Sequence, residues 1–164
     1  DSSELGNPPK KFEKLFKKAS EQGFITVAHA GEEGPTEYIL DSINLLKVKR
    51  IDHGVQCLKD EKLVEELKKK QIPLTVCPLS NVKLCVFDKL ENHNLKKMLN
   101  LGLRVMVNSD DPAYFGGYLN KNLIEIQSAL DLTNEEVKTL IINSFKSSFL
   151  DEAKKNEWIA KINK

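Results

Sequence analysis

Several things are missing from this 164-residue sequence, and each absence removes a class of protein. No apolar run approaches the roughly 18 residues that a membrane-spanning helix requires, so no membrane partner is expected. No sign of charge dominates. Lys and Arg total 25 against 24 Asp and Glu, for a net charge of +1, and the Lys are spread among the acids. No basic stripe for nucleic acid emerges from such a pattern. The three Cys (Cys57, Cys77 and Cys85) are an odd number with no Cys-x-x-Cys pair, which argues against a disulfide framework. Reduced thiols fit a cytoplasmic protein better. No signal-peptide pattern opens the chain. There is no sequence repeat, no low-complexity segment and no linker that would divide it. The chain starts Asp1-Ser2-Ser3-Glu4 rather than with Met, as either a processed protein or a piece of a larger chain would.

What is present reads as one globular domain, 40% hydrophobic and 30% charged. Phe12, Leu15, Phe16 and Ala19 recur at helical spacing between Pro8-Pro9 and Gly23. The run Phe24 to Ala28 is short, apolar and partly β-branched, and it predicts a buried strand ending at His29. Pro35 suits the start of a second helix, carrying Ile39, Ile43 and Leu46. The form then repeats. Arg50 to Gly54 predicts a strand that ends in His53, and a helix follows Asp60 with Leu63, Val64 and Leu67 inward. Ile72 to Cys77 predicts a third strand, stopped by Pro78, and Ser80 to about Asn92 reads as a loop. After a helix holding Leu95, Met98 and Leu99, Leu103 to Val107 predicts the fourth strand, leading into Asn108-Ser109-Asp110-Asp111-Pro112. The remainder is helical, with a capping box at Thr133 to Glu136 and a last helix around Trp158. Strands alternating with helices imply parallel pairing and an α/β fold. A small doubly wound sheet and half of a (β/α)8 barrel both satisfy this pattern.

Position is the informative feature. All four predicted strands end in residues that a packed core does not want: His29 and Glu32, then His53, then Pro78 to Asn81, then Asp110 and Asp111. Parallel α/β folds keep their chemistry at the strand C-termini. Each residue alone has a bland reading. His29 could be a satisfied core histidine, Glu32 a solvated turn residue, His53 a loop tether, and Asp111 a helix cap. The bland readings weaken when all four strand ends carry such groups. His and Asp suit a divalent metal such as zinc, which lowers the pKa of a bound water to make a hydroxide nucleophile. A neighbouring Glu can then carry a proton. A catalytic zinc usually takes three protein ligands, and no His-x-His pair is visible to complete the set. The Cys residues do not supply it, and the His-x-Glu…Pro-Cys-x-x-Cys signature of cytidine-type deaminases is absent. His93 reads as a helix-start residue.

Taken in order, His29-Ala30-Gly31-Glu32, Asp52-His53-Gly54, Cys77-Pro78-Leu79-Ser80-Asn81 and Ser109-Asp110-Asp111-Pro112 resemble the adenosine/adenine deaminase family of the amidohydrolase superfamily. The match runs from about Asp1 to Gly117. The resemblance implies the second half of a TIM (β/α)8 barrel, its last four βα units plus C-terminal helices, spanning 1–164 as part of a single deaminase domain. It implies one Zn2+, with His29 and Asp110 as ligands and the others on the missing N-terminal half, whose first strand carries a His-x-His pair. Glu32 would protonate a ring nitrogen of the purine, and His53 would stabilise the attacking hydroxide. Asp110 could also take the water's proton, and Asp111 would hydrogen-bond the imidazole side of the base. The implied reaction is hydrolytic loss of ammonia from C6 of a purine. Ser80 to Phe87, Asp111 to Tyr118 and Asp1 to Pro9 look most like the adenine deaminase branch, in which Leu84, Val86 or Phe87 could fill the space of a ribose. Where nucleoside deaminases bring a Gly to the purine this chain has Ser2-Ser3-Glu4, which makes Ser3 and Glu4 candidate purine contacts. Adenosine or an N6-modified purine as substrate, and a non-catalytic metal- or purine-binding module, remain the alternatives.

Overall fold

The computed structural model describes residues 3–163. Within it the chain forms two compact units: Asp1–Val76 with Asn100–Arg104, and Cys77–Leu99 with Val105–Lys164.

The first unit opens with a 3-10 turn, Pro9–Phe12, that runs into α1 (Glu13–Glu21). Then come β1 (Ala28–Ala30), α2 (Thr36–Asn44), β2 (Ile51–His53), a 3-10 turn at Val55–Lys59, α3 (Glu61–Lys70) and β3 (Leu74–Val76). The strands pair in parallel, with His29 opposite Asp52, Ala30 opposite His53, and Asp52 opposite Thr75. Strand order follows chain order, as βαβ crossovers between neighbouring strands produce. Ile39 and Ile43 of α2, Leu63 and Leu67 of α3, and Ile51, Leu74 and Val76 of the strands are buried. Each such side chain contributes about 2 kcal/mol of burial. Asp60 starts α3 by accepting the N–H groups of Lys62 (2.9 Å) and Leu63 (3.2 Å), which are among the donors a helix N-terminus leaves without partners. Cys57 is buried in the turn before it, and burial pushes its thiol pKa up to about 12.

The second unit holds α4 (Pro78–Lys83), a 3-10 turn at Leu90–Asn92, α5 (Leu95–Asn100), β4 (Val105–Val107), α6 (Pro112–Phe115), α7 (Leu119–Leu130), α8 (Asn134–Lys146) and α9 (Glu152–Ile162). Val105 and Val107 of β4, Met98 of α5, Ile126 of α7 and Leu140 of α8 are buried. Asn143 of α8 donates to the Val105 carbonyl at 2.9 Å and so fixes that helix along β4. The capping box expected at Thr133 is formed: its N–H and hydroxyl both bond the Glu136 carboxylate, and the Glu136 N–H returns to Thr133 Oγ1. Cys85 is exposed on the loop after α4. Among the described residues no helix is long and apolar enough to cross a membrane.

Two expectations need correction. The first strand is not Phe24 to Ala28 but Ala28–Ala30, and Phe24 and Ile25 are exposed. The ladder to the neighbouring strand begins only where Lys49 N–H reaches the Thr26 carbonyl, so composition placed the strand too early. The stretch after Cys77 is not a loop from Ser80. It is helical through Lys83, because Pro78 sits in the first turn and the Asn122 side chain accepts the Leu79 N–H at 3.1 Å.

Candidate active site

His29, Glu32 and His53 meet in the first unit. His29 is the middle residue of β1 and His53 the last of β2. Register pairs His53 with Ala30, so regular alternation would send the two imidazoles to opposite faces. His53 instead has φ 70°, left-handed backbone that a non-glycine residue seldom adopts. With the chain so turned, the rings lie edge to face with centroids 4.6 Å apart. Glu32 stands between them. One carboxylate oxygen is 3.1 Å from His53 Nδ1 and the other 3.9 Å from His29 Nε2. Glu32 and His53 are buried, while His29 keeps 19% of its side chain exposed. One atom from each of the three lies within 4.8 Å of the others, and nitrogen and carboxylate oxygen are donors that a zinc-like cation accepts. Of the three, His29, the one partly exposed, offers a nitrogen that fits a divalent metal, while Glu32 and His53 bond each other.

Glu32 is placed by a turn rather than by the strand. Gly31 adopts φ 74°, and a Cβ there would lie 2.4 Å from Ile39 Cδ1. Gln56 donates its side-chain amide to the Glu32 carbonyl at 2.7 Å, and its N–H bonds the Gly31 carbonyl at 2.9 Å. From the N-terminal segment, Glu4 sends its carboxylate into the same turn and reaches within 3.4 Å of His29 Nε2. Burial opposes ionisation of Glu4. The bond from His29 and those from the backbone of Gly34, Glu33 and Gly31 outweigh it and hold the pKa at about 2. Ser3 is exposed, and its carbonyl accepts the Asn7 side chain at 2.7 Å. Ser3, Glu4 and His29 all line a cavity of about 490 Å³ whose wall includes Phe12, Phe16 and Tyr38. Ser2 lies outside the described residues.

Asp110 and Asp111 follow β4 in the second unit. Asp110 has φ 56°, and its Oδ2 accepts the Ser80 hydroxyl at 2.7 Å. Asp111 caps α6: its Oδ1 accepts the N–H groups of Ala113 (3.1 Å) and Tyr114 (3.0 Å). The cap that sequence offered as its bland reading is therefore real. It occupies one oxygen of the carboxylate.

Two residues here escaped the sequence reading. Ser80 sat in the strand-end motif with no role of its own, yet it is the hydrogen-bond donor to Asp110. His93 stands at a helix start, as its sequence position suggests, but it is also buried. Its Nδ1 accepts the Leu95 N–H at 3.1 Å, which leaves the proton on Nε2, 3.2 Å from Asn81 Oδ1. Desolvation lowers its pKa to about 4, so the ring is neutral at pH 7. Phe87 packs its ring on this imidazole at 4.3 Å. The only sequence signal for either residue was a polar side chain near a strand end or a helix start.

Known proteins resemble this chain along its length. The family model for adenosine deaminase matches residues 1–164. Adenine deaminase of Acinetobacter baylyi is 58% identical over 163 residues, which are 99% of this chain and 49% of that protein. The crystal structure of adenine deaminase from Arthrobacter aurescens superposes with a TM-score of 0.98 at 50% identity, covering 99% of this chain and 50% of that one. An amidohydrolase from Burkhoderia ambifaria, solved with bound Zn, gives a TM-score of 0.92 at 28% identity over 99% of this chain and 46% of that one. The chain thus spans about half the length of the curated relatives it matches, and its strands and helices match the C-terminal half of the TIM barrel. With strand-end histidines, a clamped glutamate and a family match along its whole length, this chain belongs to the adenosine deaminase family.

Proposed function

We propose that the full-length protein containing this chain converts adenine and water to hypoxanthine and ammonia, as part of purine salvage in the cytoplasm. The observation that carries the reading is the Glu32 carboxylate, buried with one oxygen 3.1 Å from His53 Nδ1. A carboxyl group so enclosed is suited to exchange a proton with a bound base in a site from which water is excluded. Identities above 50% to proteins called adenine deaminase support adenine as the substrate.

His29 and Asp110 would hold the metal, Zn2+ in this reading, with the remaining ligands supplied by the N-terminal half of the barrel. When bound, that metal supplies a water of lowered pKa. The rest falls to the side chains. As water adds to C6, Glu32 gives its proton to N1 of the purine. His53 stabilises the negative charge of the attacking oxygen and keeps Glu32 in place. Asp110 takes the proton from the water, and Ser80 fixes the direction of that carboxylate. The C6–N bond then breaks: Asp110 passes the proton it took from the water to the amino group, which leaves as ammonia, and the C6 hydroxyl proton returns to Glu32 as the carbonyl forms. Asp111 meets the imidazole side of the base with the oxygen that does not cap α6. Ser3, exposed at the cavity that His29 also lines, is a purine contact from the N-terminal segment.

Steady-state rates of the full-length protein on adenine, adenosine and N6-methyl-AMP test this. Adenine is expected to have the highest kcat/KM. A clear preference for the nucleoside or the nucleotide would overturn the adenine reading and leave a deaminase of another purine. Absence of ammonia release from all three would leave a binding module.

A further inference from the structure

Glu4 is a buried carboxylate whose two oxygens are both taken up by backbone. Oε1 accepts the Gly31 N–H. Oε2 accepts those of Glu32 (3.1 Å), Glu33 (2.8 Å) and Gly34 (3.0 Å). Four successive amides converging on one point make an anion-binding concavity. An ionised carboxylate is the side chain with enough lone pairs to satisfy all four donors. The approach is close: a Cβ on Gly34 would lie 2.5 Å from Glu4 Oε1 and 2.8 Å from Tyr38 Cδ2. The turn gathered in this way contains Glu32. Its N–H is held by Glu4 and its carbonyl by Gln56, so the peptide groups on both sides of Glu32 are fixed by side chains from other segments.

We propose that Glu4 is a positioning residue: its carboxylate is the internal anion around which the Gly31 to Gly34 turn is wound, and through that turn it sets Glu32 against His53. This rests on the role proposed above for Glu32. It differs from the role that the family resemblance offers for Glu4, a direct contact with the purine. A carboxylate engaged by four amides has little capacity left for a substrate. Replacing it with Gln puts an NH2 group where only acceptors fit, so some of the four amides lose their partner. The turn then relaxes, and a displacement of about 1 Å at a proton-transferring group costs about 10²-fold in rate.

The test is a double-mutant cycle in the full-length protein, using Glu4→Gln, Glu32→Gln and both together, read by kcat and KM on adenine and by amide hydrogen exchange over residues 31–34. Wild-type turnover of adenine tests the functional reading separately. Glu4→Gln is expected to lower kcat by about 10²-fold with KM held within about twofold. In the Glu32→Gln background the same change should cost less than about twofold, because both act through one group. The amides of Glu33 and Gly34 should exchange at least about tenfold faster in Glu4→Gln, a readout that holds even where catalysis is lost. Should Glu4→Gln fail to fold, Gly34→Ala pushes on the same contact from the other side and should give the same pattern of kcat and exchange. A raised KM with kcat kept would make Glu4 a purine contact. An equal loss in both backgrounds would make it a general structural residue. Unchanged exchange at Glu33 and Gly34 would also overturn the proposal.

Discussion

His93 carries a charge-state constraint that a pH titration of stability can read. Its imidazole is 4% exposed, and desolvation lowers its pKa from 6.5 to about 4. The unfolded chain therefore binds the proton first as pH falls. The contribution is complete above pH 6.5, declines between pH 6.5 and about 4, and is gone below that. Integrated over the window it amounts to about 3 kcal/mol. Urea unfolding at pH 7 and at pH 4 should show the native protein losing about that much more than His93→Gln, which has no such proton to take up. Equal losses would mean that the ring is already protonated in the fold. Glu4 works in the same sense but in a lower window, its native form being the carboxylate anion where that of His93 is the neutral ring. Its pKa falls from 4.5 to about 2, so its contribution is present above pH 4.5 and lost as pH approaches 2. The two effects can be separated on one acid titration. Neither residue declared its role in the sequence. Glu4 meets its four amides 27 to 30 residues away, and His93 bonds Asn81 12 residues back in the chain. Residue spacing along a chain carries no record of such pairings. His29, Glu32 and His53 were legible because strand ends and glycine-rich turns are written locally.

Elements whose ends are fixed by one side chain offer a test of local design. α3 begins at Asp60, which takes up two of the helix's first N–H groups, and the helix brings Leu63 and Leu67 fully into the core. Asp60→Ala should cost about 1 kcal/mol, while Asp60→Asn should cost only a few tenths, since Asn caps equally well. Thermal unfolding of the two variants side by side measures the difference; equal losses would mean that the cap adds nothing here. This start, like the capping box at Thr133, was readable because a cap and its target are two or three residues apart. The first strand and α4 were not, because their limits are set from elsewhere. β1 runs only as far as Arg50 and its neighbours offer ladder partners. α4 begins where Asn122, 43 residues on, accepts the Leu79 N–H.

At the scale of the whole chain, several large apolar side chains of the first unit are turned outward: Phe12 and Leu15 at the N-terminal helix, and Phe24 and Ile25 before β1. β1 is also the end strand of the ladder. A chain half the length of its relatives that presents such surface is expected to self-associate when made alone. Sedimentation velocity over a range of concentrations should show oligomers or aggregate. A monomer that unfolds in one cooperative transition would mean that the chain needs no other segment to cover these residues. The cysteines give a way to watch the same balance from inside. Cys85 is open to solvent, Cys57 and Cys77 are buried, and the Cys57 thiol carries almost no thiolate near neutral pH. A maleimide should therefore take one equivalent at once and two more only as fast as the molecule opens. Three thiols thus form a built-in clock: the slow labelling phase times the opening of each unit, Cys57 reporting the first and Cys77 the second.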